Sequence, residues 1–103
     1  MSIHLTREAS DDIDRLWFQS AADFGVPRAE ARLKRIYSTL RETIGVFPAS
    51  GRLRPEFGRG VRSFPVLPYV LFYRVEGRRV TILRVLHSRR DLNGPLMSLM
   101  LSA

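Results

Sequence analysis

Apolar positions along the chain change period twice. Ile3 and Leu5 alternate with polar neighbours, which predicts a short strand over residues 2–6. The spacing then becomes three and four. Ile13, Leu16, Trp17, Ala21 and Phe24 fall on one face of a helix over residues 9–24. Asp11, Asp12 and Asp14 complement the dipole in its first turns, Thr6 or Ser10 supplies its cap, and Gly25 ends it. Pro27 suits the first turn of a second helix over residues 28–44, with an apolar stripe through Ala29, Leu33, Ile36, Tyr37, Leu40 and Ile44. The break between the helices is short enough for an antiparallel hairpin.

Residues 45–60, GVFPASGRLRPEFGRG, have no period; four glycines and two prolines make them a loop, with a short strand at most at Arg52–Arg54. Strands are expected over residues 61–67 and 69–75, split by Pro68, and over residues 79–87. A two-residue turn at Glu76–Gly77 would set Tyr73 opposite Val80 and Leu71 opposite Ile82; a bulge or a longer turn shifts that register. After Pro95 the tail is apolar, as a short helix or a frayed end. The order β-α-α-β-β-β describes one α+β domain over residues 1–103. The helix hairpin packs on one face of a sheet of about four strands, and the other face is at least partly open.

Composition narrows the chemistry. A chain of 103 residues, 45% hydrophobic, builds one small core and has no room for a TIM barrel or a Rossmann unit with a substrate domain. The absence of cysteine excludes disulfides, thiol nucleophiles and thiolate zinc sites, and two histidines, His4 and His87, exclude a histidine-rich metal cluster. No cofactor or metal is expected. No basic-then-apolar leader opens the sequence and no apolar run is long enough to span a bilayer, so a cytoplasmic location without membrane contact is expected.

Charge is the stronger signal. The net charge is +7, and sixteen of the seventeen basic residues are arginine, Lys34 being the exception. Residues 1–51 carry seven bases and seven acids, whereas residues 52–103 carry ten arginines and three acids. The strand-rich half therefore holds the whole excess. Arg52, Arg54, Arg59, Arg62, Arg74, Arg84, Arg89 and Arg90 are the candidate binding residues, suited to phosphate or to an acidic protein surface. The plainer alternative is a solvated basic surface.

Glu56 and His87 are candidates for acid–base work on RNA, with Arg62 and Arg84 to stabilise the phosphorane. Such cations would lower the pKa of both residues, and local hydrogen bonds or salt bridges are the alternative role. Arg84 lies among apolar neighbours and needs a partner if buried, with Glu56 and Asp91 as the candidates. Asp91 could equally hold Arg89 or Arg90. Tyr69, Tyr73 and Phe64 either stack on bases from an open sheet or pack in the core.

Four segments, EASDDIDRLW, FGVPRAEARLKRI, GRLRPEFGRGVRSFPVLPYVLFYRV and ILRVLHSRRDL, resemble in order and spacing the toxins of the RelE/ParE superfamily, and more closely its ParE-like branch. The resemblance implies a helix hairpin on a curved, mainly antiparallel sheet, in the toxin half of a type II toxin–antitoxin operon. It implies a cognate antitoxin as partner, a heterodimer or heterotetramer with it, and contact with operator DNA only through that complex. ParE-like members poison DNA gyrase without bond chemistry of their own. RelE-like members cut messenger RNA on the ribosome with basic residues and, in some branches, a glutamate, a histidine or a late tyrosine. Glu56 and His87 approximate two of those positions, but the RelE lysines are missing and no tyrosine follows Tyr73. Gyrase poisoning is therefore the expected action, with a ribosome-dependent endoribonuclease or a non-toxic regulatory module as alternatives.

Overall fold

The structure is a computed structural model and describes residues 1–91. The expected helix or frayed end after Pro95 lies outside these residues. Strand β1 (Ser2–Leu5) leads into helices α1 (Arg7–Phe24) and α2 (Val26–Thr39). Thr6 caps α1, its hydroxyl accepting the Ala9 N–H at 3.0 Å. The helix therefore starts at Arg7, earlier than the apolar period alone indicates, and Ser10 lies inside it. Helix α2 ends at Thr39, and Leu40–Ile44 form a π-helical turn closed by the Gly45 N–H on the Leu40 carbonyl at 2.8 Å. Leu40 and Ile44 stay buried, so the apolar stripe continues while the backbone geometry changes.

Strands β2 (Arg52–Leu53), β3 (Arg62–Val66), β4 (Tyr69–Glu76) and β5 (Arg79–His87) complete a five-stranded sheet in the order β1-β5-β4-β3-β2. The fifth strand is the two-residue β2 at the edge. Strand β1 pairs parallel with β5, because the helix hairpin carries the chain back over the sheet; the other pairs are antiparallel.

The hairpin between β4 and β5 corrects the expected register. Glu76 pairs with Arg79, so the turn is Gly77–Arg78, with Gly77 at φ +62°, the sign that tight hairpin turns need at their first position. Tyr73 consequently faces Ile82, and a bulge beside Phe72/Tyr73 shifts the remainder, placing Leu71 opposite Val85.

Side chains alternate across the sheet and build two cores. On the helix side, Ile13, Leu16, Ile36, Leu40 and Ile44 meet Leu71, Tyr73, Val80, Ile82 and Val85. On the other side Val61, Phe72 and Leu86 are buried with Phe57, Val70 and Leu83 against them. That face is thus covered here by the 3-10 turn Pro55–Phe57, whose Phe57 ring stands edge-on to Phe72 at 5.5 Å. Trp17 is only half-buried and Phe24 is exposed, off the buried stripe of α1. No described helix is long and apolar enough to cross a membrane.

Candidate functional site

Arg84 lies in the interior, with 8% of its surface exposed. Its partner is Asp12 of α1, not Glu56 or Asp91: Nε and Nη2 each donate to the carboxylate at 2.8 Å. Asp12 also accepts the Val85 N–H at 3.0 Å. Strand β1 stops pairing at Ile82, and the carboxylate satisfies a β5 edge N–H beyond that point. The hydrogen bonds to Asp12 raise the Arg84 pKa, so the guanidinium stays charged inside the fold. Arg84 therefore contributes no open binding surface.

Three more of the expected arginines tie down the loop half of the sheet. Arg62 donates to the carbonyls of Gly51 at 2.8 Å and Ala49 at 3.3 Å. Arg74 donates to the Arg59 carbonyl at 2.9 Å. Arg54 pairs with Glu56 at 3.1 Å and lies 4.7 Å from the Phe57 ring centroid. Arg52, Arg59, Arg89 and Arg90 are exposed. Asp91 accepts the His87 N–H at 2.7 Å, and Arg90 reaches Asp23 at 3.9 Å. Tyr69 and Tyr73 are buried, and Phe64 packs half-buried against the helix-side core, so all three take the packing role.

Glu56 and His87 do not meet. Glu56 belongs to the turn that covers the face opposite the helices, whereas His87 faces α2 at the far end of β5; the sheet lies between them. Backbone hydrogen bonding and Arg54 hold the Glu56 carboxyl below its ordinary pKa. His87 Nδ1 accepts the N–H groups of Arg89 at 3.1 Å and Arg90 at 3.2 Å, and the ring stands edge-on to Tyr69 at 5.8 Å. Burial, then Arg90, pushes its pKa below the ordinary histidine value, while Asp91 opposes.

The unfolded chain therefore binds this proton more readily than the folded one. The stabilisation is complete above about pH 6.5, the ordinary histidine pKa, and is lost as pH falls towards the folded value. Denaturation midpoints are expected to drop on acidification from that point, and His87→Gln should flatten this part of the curve; an unchanged pH profile in the variant would remove His87 as its source.

The structure also assembles a site that the charge count by halves missed. A cleft of about 630 Å³ opens between α2 and the end of β5. Arg28, Arg32 and Arg35 line it from α2, His87, Ser88 and Arg89 from the end of β5, and Ala31, Leu67 and Pro68 add apolar surface. Arg32 Nη1 donates to Ser20 Oγ at 3.0 Å and to Tyr69 Oη at 3.3 Å, and these two hydroxyls share a hydrogen bond of 2.9 Å. Arg35 Nη2 donates to the Leu67 carbonyl at 2.7 Å. Arg28 and Arg32 both lie over the Phe24 ring, at 5.1 and 4.8 Å from its centroid. The exposed Phe24 is thus a platform for two guanidinium groups. Of the eight arginines expected to bind, Arg89 alone lines this cleft.

The same fold occurs in proteins of known type. The family model described as ParE toxin of type II toxin-antitoxin system, parDE, matches residues 3–92. The chain belongs to the ParE toxin family. It is the toxin component of a type II toxin–antitoxin system, with a cognate antitoxin as its partner. Toxin ParE3 of Caulobacter vibrioides is 38% identical over 91 residues, covering 88% of this chain and 90% of that protein. Toxin ParE1 of the same organism is 36% identical over 92 residues, with 89% and 94% covered. Among solved structures, the chromosomal ParDE TA system from P. aeruginosa has a chain that aligns at TM-score 0.71 and 26% identity, over 84% of this chain and 95% of that one. The toxin-antitoxin complex RelBE2 from Mycobacterium tuberculosis aligns at TM-score 0.62 and 27% identity with the same coverage. The ParE toxin thus shares its helix hairpin and curved sheet with both branches of the superfamily.

Proposed function

We propose that this ParE toxin inhibits growth by poisoning DNA gyrase, holding the enzyme in its cleaved-DNA state by contact and without bond chemistry of its own. The observation that carries this reading is the dispersal of the nuclease candidates. Cleavage at a phosphodiester needs a base, an acid and cations around one phosphorus. Here the sheet separates Glu56 from His87, and Arg84 is committed to Asp12. The ParE matches support the same assignment. In this reading the antitoxin neutralises the toxin in a heterodimer or heterotetramer, and operator DNA is reached through that complex.

Supercoiling by purified gyrase is expected to stop on addition of the toxin, with cleaved DNA accumulating and antitoxin restoring activity. Unimpaired supercoiling without cleaved DNA would overturn the proposal. Messenger RNA cuts on programmed ribosomes, reduced by His87→Gln or Glu56→Gln, would replace it with the endoribonuclease reading. Normal growth on expression without antitoxin would leave a regulatory module.

A further inference from the structure

The cleft between α2 and the end of β5 is the most cationic hollow described above. Among the described residues its lining contains four guanidinium groups and no carboxylate. Arg28, Arg32 and Arg35 stand at i, i+4 and i+7 on α2, an array roughly 10 Å long at 1.5 Å per residue. Arg89 enters from a different element, the turn after β5. The cationic groups therefore form a line flanked by a second wall, a shape for a chain of anions more than for a single ion.

Two of the four are fixed before any ligand arrives. Arg32 is held by Ser20 and Tyr69, and Arg35 by the Leu67 carbonyl. Each of these bonds uses one nitrogen of a group with five N–H donors, leaving donors for a ligand. Groups already ordered lose less freedom on binding. An acidic protein segment would need apolar anchors as well as charge. Among the described residues the lining offers one well-exposed large apolar side chain, Leu67, at 64% exposure.

We propose that this cleft binds the phosphodiester backbone of a nucleic acid, with Arg28, Arg35 and Arg89 on phosphate oxygens and Arg32 fixing the wall between them. The binding is a property of the toxin itself and holds whether or not gyrase is its target.

The test is fluorescence anisotropy of the purified full-length toxin with a labelled oligonucleotide, as single strand and as duplex, over a range of salt concentrations. Saturable binding is expected at about 50 mM salt. With three phosphates engaged, log K should fall against log salt with a slope of about −2 for the single strand and about −3 for the duplex. Whichever form binds more tightly identifies the source of the phosphodiester. The double variant Arg28→Gln/Arg89→Gln alters two exposed side chains. It is expected to weaken binding about tenfold or more and to cut the slope to roughly a third. Arg41→Gln/Arg78→Gln removes the same charge from exposed positions elsewhere and is expected to leave both nearly unchanged. Circular dichroism checks that both variants are folded.

Equal losses in the two double variants would mean diffuse attraction to a basic surface and would overturn the proposal. No oligonucleotide binding at low salt would also overturn it. So would capture of a glutamate-rich peptide in place of the oligonucleotide, which would assign the cleft to an acidic protein segment.

Discussion

Asp12→Ala is expected to remove about 3–5 kcal/mol of stability, because it leaves the Arg84 guanidinium buried without its counter-charge. The same change strands the Val85 N–H that the carboxylate accepts. A small domain has only about 5–15 kcal/mol in total, so the loss is a large fraction of its stability. Urea unfolding of wild type and variant measures the loss directly. The double variant Asp12→Leu/Arg84→Met removes both charges and is expected to recover a large part of it, short of the Val85 hydrogen bond. A single-variant loss below about 1 kcal/mol would show that the pair does not hold α1 to the sheet. Arg84 variants are accordingly expected to lose growth inhibition through unfolding, so toxicity assays at this position need a folding control.

Gly51→Ala is expected to destabilise by about 1–3 kcal/mol through overpacking. Gly51 has ordinary extended backbone, φ −75° and ψ 153°, so its lack of a side chain answers a packing need. An added Cβ would lie 2.4 Å from Tyr73 Oη, 2.8 Å from its ring and 2.9 Å from the Ser63 carbonyl oxygen. That hydroxyl accepts the Gly51 N–H and donates to the Pro48 carbonyl, both at 2.8 Å, and so pins the loop onto β4. Tyr73→Phe is expected to cost a similar amount by leaving those two backbone groups unpaired. Because the phenylalanine also vacates the place of the nearest clash, Gly51→Ala/Tyr73→Phe should cost clearly less than the sum of the single changes. Chemical denaturation of the four proteins closes the cycle, and strict additivity would show that the two sites are not coupled.

The element order and the helix hairpin were legible because apolar period and punctuation agreed. Ile13 and Leu16, Ile36, Leu40 and Ile44, and the β4 and β5 runs all fall where the spacing places them. Pairing details were not legible, because they depend on partners distant in sequence. The bulge beside Phe72/Tyr73 and the parallel union of β1 with β5 have no local marker. Asp12 could be read as one more acid at a helix start; its choice of Arg84 is made across 72 residues.

Charge summed by halves of the chain hid the cleft for a similar reason. The neutral half sorts its charges between helices: α1 carries Glu8, Asp11, Asp12, Asp14 and Asp23 against Arg7 and Arg15, while α2 carries Arg28, Arg32, Lys34 and Arg35 against the single Glu30. The one-sided arginine spacing on α2 was available as a signal. Its meeting with Arg89 depends on the fold, which brings the end of β5 beside that helix.

The pairing of the first strand with the last described one also bears on how the toxin matures during synthesis. The Thr6 hydroxyl bonds the Leu83 carbonyl across 77 residues, and among the described residues Ser2–Leu5 find their strand partners only in Arg79–Ile82. A nascent chain still lacking β5 has no place to dock its N-terminal strand and no Arg84 for Asp12. Such late, distant closure is slow compared with local pairing. Native structure, and any toxicity that depends on it, therefore cannot arise before β5 has been made, however early the helix hairpin forms.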